Sequence, residues 1–303
     1  MAGDVRMLDG MPSLLPLYGR AGLGAVPGAG LLGRLPLVPG GARRDALPAE
    51  ALGVAAVTTD PDALAGYCRT CGLTLRNELP ATWPHVLSFP LQMALMSSGS
   101  FPFPLLGLVH VDDEISQHRP IGIGEQLDLE VRAGDLRPHP KGTAFSLVVT
   151  ASTGGAVVWE ERGTILHRGG GDPDAPREDG PEPPGIDVPA SSEWRLPGDL
   201  GRRYAAASGD RNPIHLHPLT ARAFGFPRPI AHGMWTMARC LAQLEGRLPE
   251  AFTVSVAVRR PVPLPGRVRF AAEERGAVTA FAVRGGAGEE PPLHLAGEIA
   301  PAG

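Results

Sequence analysis

Tyr204-Ala-Ala-Ala-Ser208-Gly209-Asp210-Arg211-Asn212-Pro213-Ile214-His215, followed by Ala223-Phe224-Gly225-Phe226-Pro227-Arg228-Pro229-Ile230-Ala231-His232-Gly233-Met234, is the stretch on which the reading of this 303-residue chain turns. Asp210 and His215 stand five positions apart across a Gly-Asp-x-Asn-Pro segment, so neither is held in a regular helix. Gly209 and Pro213 punctuate that segment tightly. A carboxylate and an imidazole that converge on one water form a competent acid/base pair, because histidine titrates near neutral pH. Asn212 orients a neighbour, the turn or the water without titrating. The His232-Gly233-Met234 step opens an apolar run, Met234 to Leu244, with Trp235, Met237, Ala238, Leu241 and Leu244 at helical spacing. A glycine at such a helix start leaves its N–H free to meet an anion, helped by the helix dipole. The residues by themselves leave a second reading open: Asp-x-Asn-Pro is also a good turn and Asx cap, with His215 and His217 on a surface loop.

Working outward, the chain shows a faint internal repeat. Tyr67-Cys-Arg-Thr-Cys71-Gly72 echoes Tyr204-Ala-Ala-Ala-Ser208-Gly209. His85-Val-Leu-Ser-Phe echoes His232-Gly-Met-Trp-Thr, and Arg119-Pro120-Ile121 echoes Arg260-Pro261-Val262. Each charged turn leads into strand-like alternation, at Glu125–Val131 and Arg267–Ala272. Period-two patterning continues at Ala144–Ala151, Ala156–Leu166, Thr279–Val283 and Leu293–Ile299. Each half therefore reads as a loop and short helix, one main helix and several antiparallel strands, an α+β unit with the helix packed on a sheet. The repeat contains a deletion. Eighteen positions separate Tyr67 from His85, whereas twenty-eight separate Tyr204 from His232. The first half lacks the stretch that carries the candidate chemistry, and Leu73 stands in the place of Asp210.

The segment resembles the hydratase-2 motif of MaoC-like dehydratases and R-specific (type 2) enoyl-CoA hydratases. The likeness rests on Tyr204, Ser208-Gly209-Asp210, Asn212-Pro213-Ile214-His215, Ala223, Phe226, Pro229-Ile230 and His232-Gly233-Met234, and on the eighteen positions from His215 to Gly233. The resemblance implies a hotdog fold, a long helix wrapped by an antiparallel sheet. It implies Asp210 and His215 as the catalytic pair and the Gly233 N–H as the oxyanion donor. Tyr204, Ser208, Asn212, Pro213, Ile214, His232 and Met234 are then supporting or substrate-binding positions. The repeat becomes a double hotdog with one active site per chain. Its expected divisions are an N-terminal arm (1–45), a degenerate hotdog half (46–168), a linker (169–192) and a catalytic MaoC-like half (193–303). The implied activity is a hydro-lyase acting reversibly between 3R-hydroxyacyl and 2-enoyl thioesters in fatty-acid metabolism. It needs no metal or redox cofactor, with coenzyme A or an acyl-carrier protein as the substrate handle. Pro90, inside the main helix of the first half, predicts a kink. With the shortened loop, that kink leaves room for a long or bulky acyl tail.

Composition bounds the remainder. Hydrophobic residues make up 43% and charged residues 20%, enough for a real core, and the net charge of −4 argues against a nucleic-acid binder. The 40 glycines and 33 prolines concentrate in particular segments. Residues 169–192 are too poor in apolar surface to offset their ordering entropy, and residues 1–45 read as an extended arm that packs on the body. No stretch predicts membrane insertion: the uncharged run Ala21–Gly33 is short and broken by five glycines and Pro27. Three cysteines, Cys68, Cys71 and Cys240, fit a reducing compartment, so a cytoplasmic location is expected. Gly28-Ala-Gly30-Leu-Leu-Gly33 follows no strand, and Pro36 and Pro39 block the helix a dinucleotide site requires. Cys68 and Cys71 read as packed thiols, His110 and His118 as ordinary polar positions, and Arg119 and Arg260 as solvated surface. Two rivals stand beside the hydro-lyase: a thioesterase on the same fold, and a non-catalytic acyl-thioester-binding subunit of a lipid-synthesis complex. A homo-oligomer is compatible with either half.

Overall fold

The computed structural model describes residues 4–24, 46–105, 108–176, 180–286, 288 and 290–302, with side chains left aside for 20–24. The Gly28–Gly33 motif lies outside the described residues. Eleven strands form one sheet, β1 (Val5–Met7), β2 (Ala51–Val57), β3 (Leu108–Gln117), β4 (Leu127–His139), β5 (Gly142–Thr153), β6 (Ala156–Arg168), β7 (Ser192–Leu196), β8 (Phe252–Val258), β9 (Gly266–Arg275), β10 (Val278–Gly285) and β11 (Leu293–Pro301). Their order is β1-β2-β4-β5-β6-β3-β8-β11-β10-β9-β7. Read from the middle outward, the two halves repeat one another: β3-β6-β5-β4-β2 on one side, β8-β11-β10-β9-β7 on the other. The seam is the antiparallel pair β3–β8, in register from Asp112↔Ala257 to Gln117↔Phe252. Pairing there removes the open edge that each half would otherwise present to solvent.

Six helices are described: α1 (Leu14–Gly24), α2 (Pro61–Cys71), α3 (Trp83–Met96), α4 (Leu200–Ser208), α5 (Pro218–Ala223) and α6 (Gly233–Leu244). Helix α3 lies on β2, β4 and β5. It buries Trp83, Leu91 and Leu95 in a core shared with Leu129, Val131 and Phe145 of the sheet. Helix α6 buries Trp235, Met237, Ala238, Leu241 and Leu244 in the same core, the positions its spacing selects. Each long helix lies in the wrap of its own sheet, so the architecture is the double hotdog. Helix α3 continues through Pro90, whose missing N–H leaves the Val86 carbonyl without its helical donor.

The repeat is real in space. Helices α2 and α4 pack against each other, and both end on a left-handed glycine, Gly72 at φ 74° and Gly209 at φ 81°. Tyr67 and Tyr204, matched in sequence, meet with ring centroids 6.0 Å apart. The N-terminal arm differs from the extended segment expected. β1 adds to β2 in parallel, and α1 is a helix laid across α3, where Leu17 packs with Phe89 and Met93. No described helix is long and apolar enough to cross a membrane.

Candidate active site

Helix α4 delivers the chain to the site. Its left-handed cap at Gly209 reverses direction, and the next residue is Asp210. The Ser208 hydroxyl donates to the Tyr204 carbonyl at 2.9 Å and accepts the Asp210 N–H at 3.2 Å. Asp210 Oδ1 accepts the Asn212 N–H at 3.0 Å, an Asx turn that turns the carboxylate back over its own loop. The Asn212 side chain accepts from the Ile214 N–H at 3.5 Å and donates to the Leu108 carbonyl of β3 at 3.5 Å. Asn212 thus caps the 3-10 turn Pro213–His215, with Pro213 supplying its first position, and ties the loop to the seam.

His215 is buried, and its Nδ1 stands 2.7 Å from the Ile230 carbonyl. A carbonyl only accepts, so Nδ1 carries the hydrogen and the lone pair lies on Nε2. Burial lowers the His215 pKa, against the pull of the Asp210 charge and the Ile230 hydrogen bond, so the ring is neutral at pH 7. His232 stacks on it with centroids 3.6 Å apart and accepts no charge either, being pushed well down by burial and by His215. The His232 Nε2 reaches the Asp210 carbonyl at 3.1 Å, so that Nε2 is the donor and His232 pins the Asp210 backbone.

Asp210, His215 and His232 each bring one polar atom to a common point, all within 4.8 Å of one another. A water making two hydrogen bonds of about 2.8 Å spans a gap of this size. Two imidazoles and a carboxylate are also donors that a divalent ion accepts. Gly233 is the first residue of α6, after His232 in an extended conformation at φ −66° and ψ 140°. It lines the same cavity as Asp210 and His215.

All the sequence-chosen positions gather here except Pro213, whose role is to shape the turn. Tyr204, Ser208, Asn212, Ile214, His232 and Met234 line the cavity with the pair. Three contributors escaped the sequence reading. Gly201 of α4 faces the backbone of His215, where a Cβ would stand 2.0 Å from the His215 carbonyl oxygen. Tyr18 of α1 donates to the Gly209 carbonyl at 3.0 Å, accepts the Arg211 N–H at 2.6 Å and lines the cavity. Burial first, and then Asp210, raise its pKa. His110, read as an ordinary polar position, lines the cavity instead. His118 does sit at the surface, 3.1 Å from Glu160. Arg119 is tied to Glu125 at 2.7 Å. Arg260 is exposed, as expected, and also borders the cavity. The three cysteines are buried and unbridged.

A helix-wrapped double sheet with a carboxylate and a neutral imidazole converging beside a helix N-terminus defines the class: a hotdog-fold acid/base enzyme. The MaoC like domain family matches residues 185–289, which hold the whole loop and α6. The 3-hydroxyacyl-thioester dehydratase X of Mycobacterium tuberculosis is 40% identical over 237 residues, 77% of this chain and 82% of the relative. The enoyl-CoA hydratase ChsH3 of the same organism is 25% identical, covering 54% of this chain and 59% of the relative. A crystal structure of HtdX from M. tuberculosis superposes with a TM-score of 0.74 at 33% identity, covering 83% of this chain and 100% of that one. The chain belongs to the MaoC-like dehydratase family and is a hydro-lyase.

Proposed function

We propose that the protein interconverts 3R-hydroxyacyl and 2-enoyl thioesters, carried on coenzyme A or an acyl-carrier protein, at one site per chain. The observation that carries this reading is the fixed tautomer of His215. Its Nδ1–H is spent on the Ile230 carbonyl, which leaves Nε2 as the ring's basic atom, and a ring nitrogen of His215 lies within 4.8 Å of an Asp210 carboxylate oxygen. In hydration, Asp210 and His215 hold one water. Nε2 takes a water proton as the oxygen attacks C3, and the same proton is returned to C2 on the same face. Water's O–H bond breaks, the C3–O and C2–H bonds form, and the addition is syn. Asp210 accepts the second water hydrogen and stabilises the transient imidazolium. Dehydration is the reverse. The thioester carbonyl gains negative charge as C2 becomes enolate-like. The Gly233 N–H at the start of α6 meets that charge, helped by the helix dipole. Support for the R hand comes from the resemblance to R-specific hydratases. The step uses no metal or redox cofactor.

The acyl tail runs along α3 of the first half, where Phe89, Met93 and Met96 face Leu147 and Ile165 across the cavity. Methionines are unbranched and repack around chains of different shape. The degenerate half has therefore exchanged its chemistry for acyl room. The decisive experiment follows loss of the conjugated enoyl absorbance with trans-2-enoyl-CoAs of several lengths. Turnover that persists in a strong chelator supports the reading. Release of free thiol without loss of the enoyl group would make the protein a thioesterase. Acyl binding without turnover would make it a binding subunit. Activity confined to four-carbon chains would remove the role given to α3.

A further inference from the structure

The first half keeps four ionisable side chains that this chemistry does not use. His85 of α3 places Nδ1 2.6 Å from Glu161 Oε1 of β6. His110 of β3 places Nε2 3.0 Å from Asp113 Oδ2, too far off axis for a good hydrogen bond. The two imidazoles stack 6.4 Å apart and both line the acyl cavity. Asp113 and Glu161 stand behind them, 4% and 3% exposed. Both Asp113 oxygens and Glu161 Oε2 are buried without a hydrogen-bond partner.

The backbone is shaped to bring these groups together. Residues three apart on a regular strand point to opposite faces. The register of β3 slips between His110 and Asp112, an extra residue at Val111 that turns His110 to the face of Asp113. Opposite Asp113 on β6 stands Gly163, where a Cβ would be 2.6 Å from His110 Nε2. A bulge and a glycine therefore seat one imidazole against a carboxylate beside a cavity that Phe89, Met93, Leu147 and Ile165 also line.

An all-apolar acyl chain packed here would strip the remaining solvent from the two imidazoles and return nothing. A hydroxyl meets both. Burial is the largest single influence on His110 and lowers its pKa, but Asp113, Glu161 and Asp112 together raise it, so that this imidazole donates. Burial lowers His85 to about 4, which makes it neutral, and above pH 7, where Glu161 is a carboxylate, that carboxylate takes the Nδ1–H and Nε2 accepts. We infer that His85 and His110, backed by Glu161 and Asp113, form a hydroxyl-binding subsite, so that the preferred acyl chain carries a hydroxyl group beyond C3.

This inference rests on the acyl tail's running along α3, as in the proposed function, but its test does not need turnover. Dissociation constants are measured by calorimetry for saturated acyl-CoAs of one length, either plain or with a hydroxyl or keto group at successive positions beyond C4. One hydroxylated isomer is expected to bind about tenfold tighter than the plain chain, a gain of the size expected for a hydroxyl with both partners. The keto analogue at that position, lacking the hydrogen for His85, gains less. In His85→Phe and Asp113→Asn the preference falls towards unity. Equal or tighter binding of the plain chain at every position overturns the subsite, as do variants that weaken plain and hydroxylated chains alike. If a variant does not fold, the wild-type comparison decides alone. Enoyl-CoA turnover by the same sample reports separately on the hydro-lyase reading.

Discussion

The two halves share a helix, a cap and a tyrosine, and part at the next residue. Helix α2 ends on Gly72 and continues into Leu73, whereas α4 ends on Gly209 and continues into Asp210. Three residues before the shared tyrosine the first half has Leu64, fully buried, and the second has Gly201. The exchange has a physical cause. The second half folds an extra loop back over its helix, and the His215 carbonyl stands where a Cβ on Gly201 would point, so that no side chain fits there. The half without the Asp210–His215 loop thus has a full, buried side chain at the position where the other half has glycine. The first half places two imidazoles on the cavity wall with two buried carboxylates behind them, so its interior is not wholly apolar.

The largest expected effect lies at the pair itself. Asp210→Asn and His215→Ala are each expected to lower kcat/KM by about 10²–10⁴-fold. Equal activity in either would break the contrast with Leu73. His215→Ala also strands the Ile230 carbonyl, so a stability loss of about 1–3 kcal/mol accompanies it in a denaturant titration.

Gly233→Pro probes the helix start with little damage to the fold. Proline is welcome at the first position of a helix, and His232 already has the extended conformation that precedes proline. The variant loses the N–H, and kcat is expected to fall by about 10²–10³-fold with the thermal midpoint nearly kept. A fully active proline variant would remove Gly233 from the mechanism.

Gly201→Ala sharpens the comparison of the helices. Alanine in a helix interior is ordinarily worth about 0.5–1 kcal/mol over glycine. Here its Cβ meets the His215 carbonyl, so the sign is expected to reverse, with a loss of about 1–3 kcal/mol and reduced activity. Gly66→Ala in α2, where no atom lies within 4 Å of the added Cβ, is expected to gain stability. Both variants are read in the same urea titration.

The pH dependence separates the halves further. In the proposed mechanism hydration requires neutral His215, whose pKa burial lowers. The kcat/KM profile is expected to stay flat as pH falls through the usual histidine range and to drop only below it. In the first half, burial raises Glu161 to about 7. A raised carboxyl favours the fold below its unfolded pKa, and that contribution is lost as pH rises from the usual glutamate range to about 7. Glu161→Gln is therefore expected to melt closer to wild type, or above it, at pH 8 than at pH 4.5. A thermal-midpoint difference independent of pH would mean that Glu161 titrates normally.

Much of the site was legible because it is local. Asp210, Asn212, Pro213 and His215 build one turn from consecutive residues, and the period of Met234–Leu244 places Gly233 at a helix start. Six of the strands, β4, β5, β6, β9, β10 and β11, announce themselves by alternation. The seam strands β3 and β8 were harder to see. β3 carries a bulge and a run of charged residues that break its period, and it is a strand only because β6 and β8 both pair with it. Arm helix α1 was read as extended because Pro16 and the glycines weaken its propensity, and packing on α3 overrides them.

By itself, then, the sequence determined the α+β repeat, the candidate loop and the half that lacks it, since each is written in residues close along the chain, and the double hotdog followed from the family resemblance that those residues carry. Only the tertiary structure decided that Gly201 clears the way for His215, that Tyr18 reaches the loop from nearly 200 positions away, and that four ionisable groups from α3, β3 and β6 meet beside one cavity. These depend on distances between residues far apart in sequence, and no local period or spacing encodes such a distance.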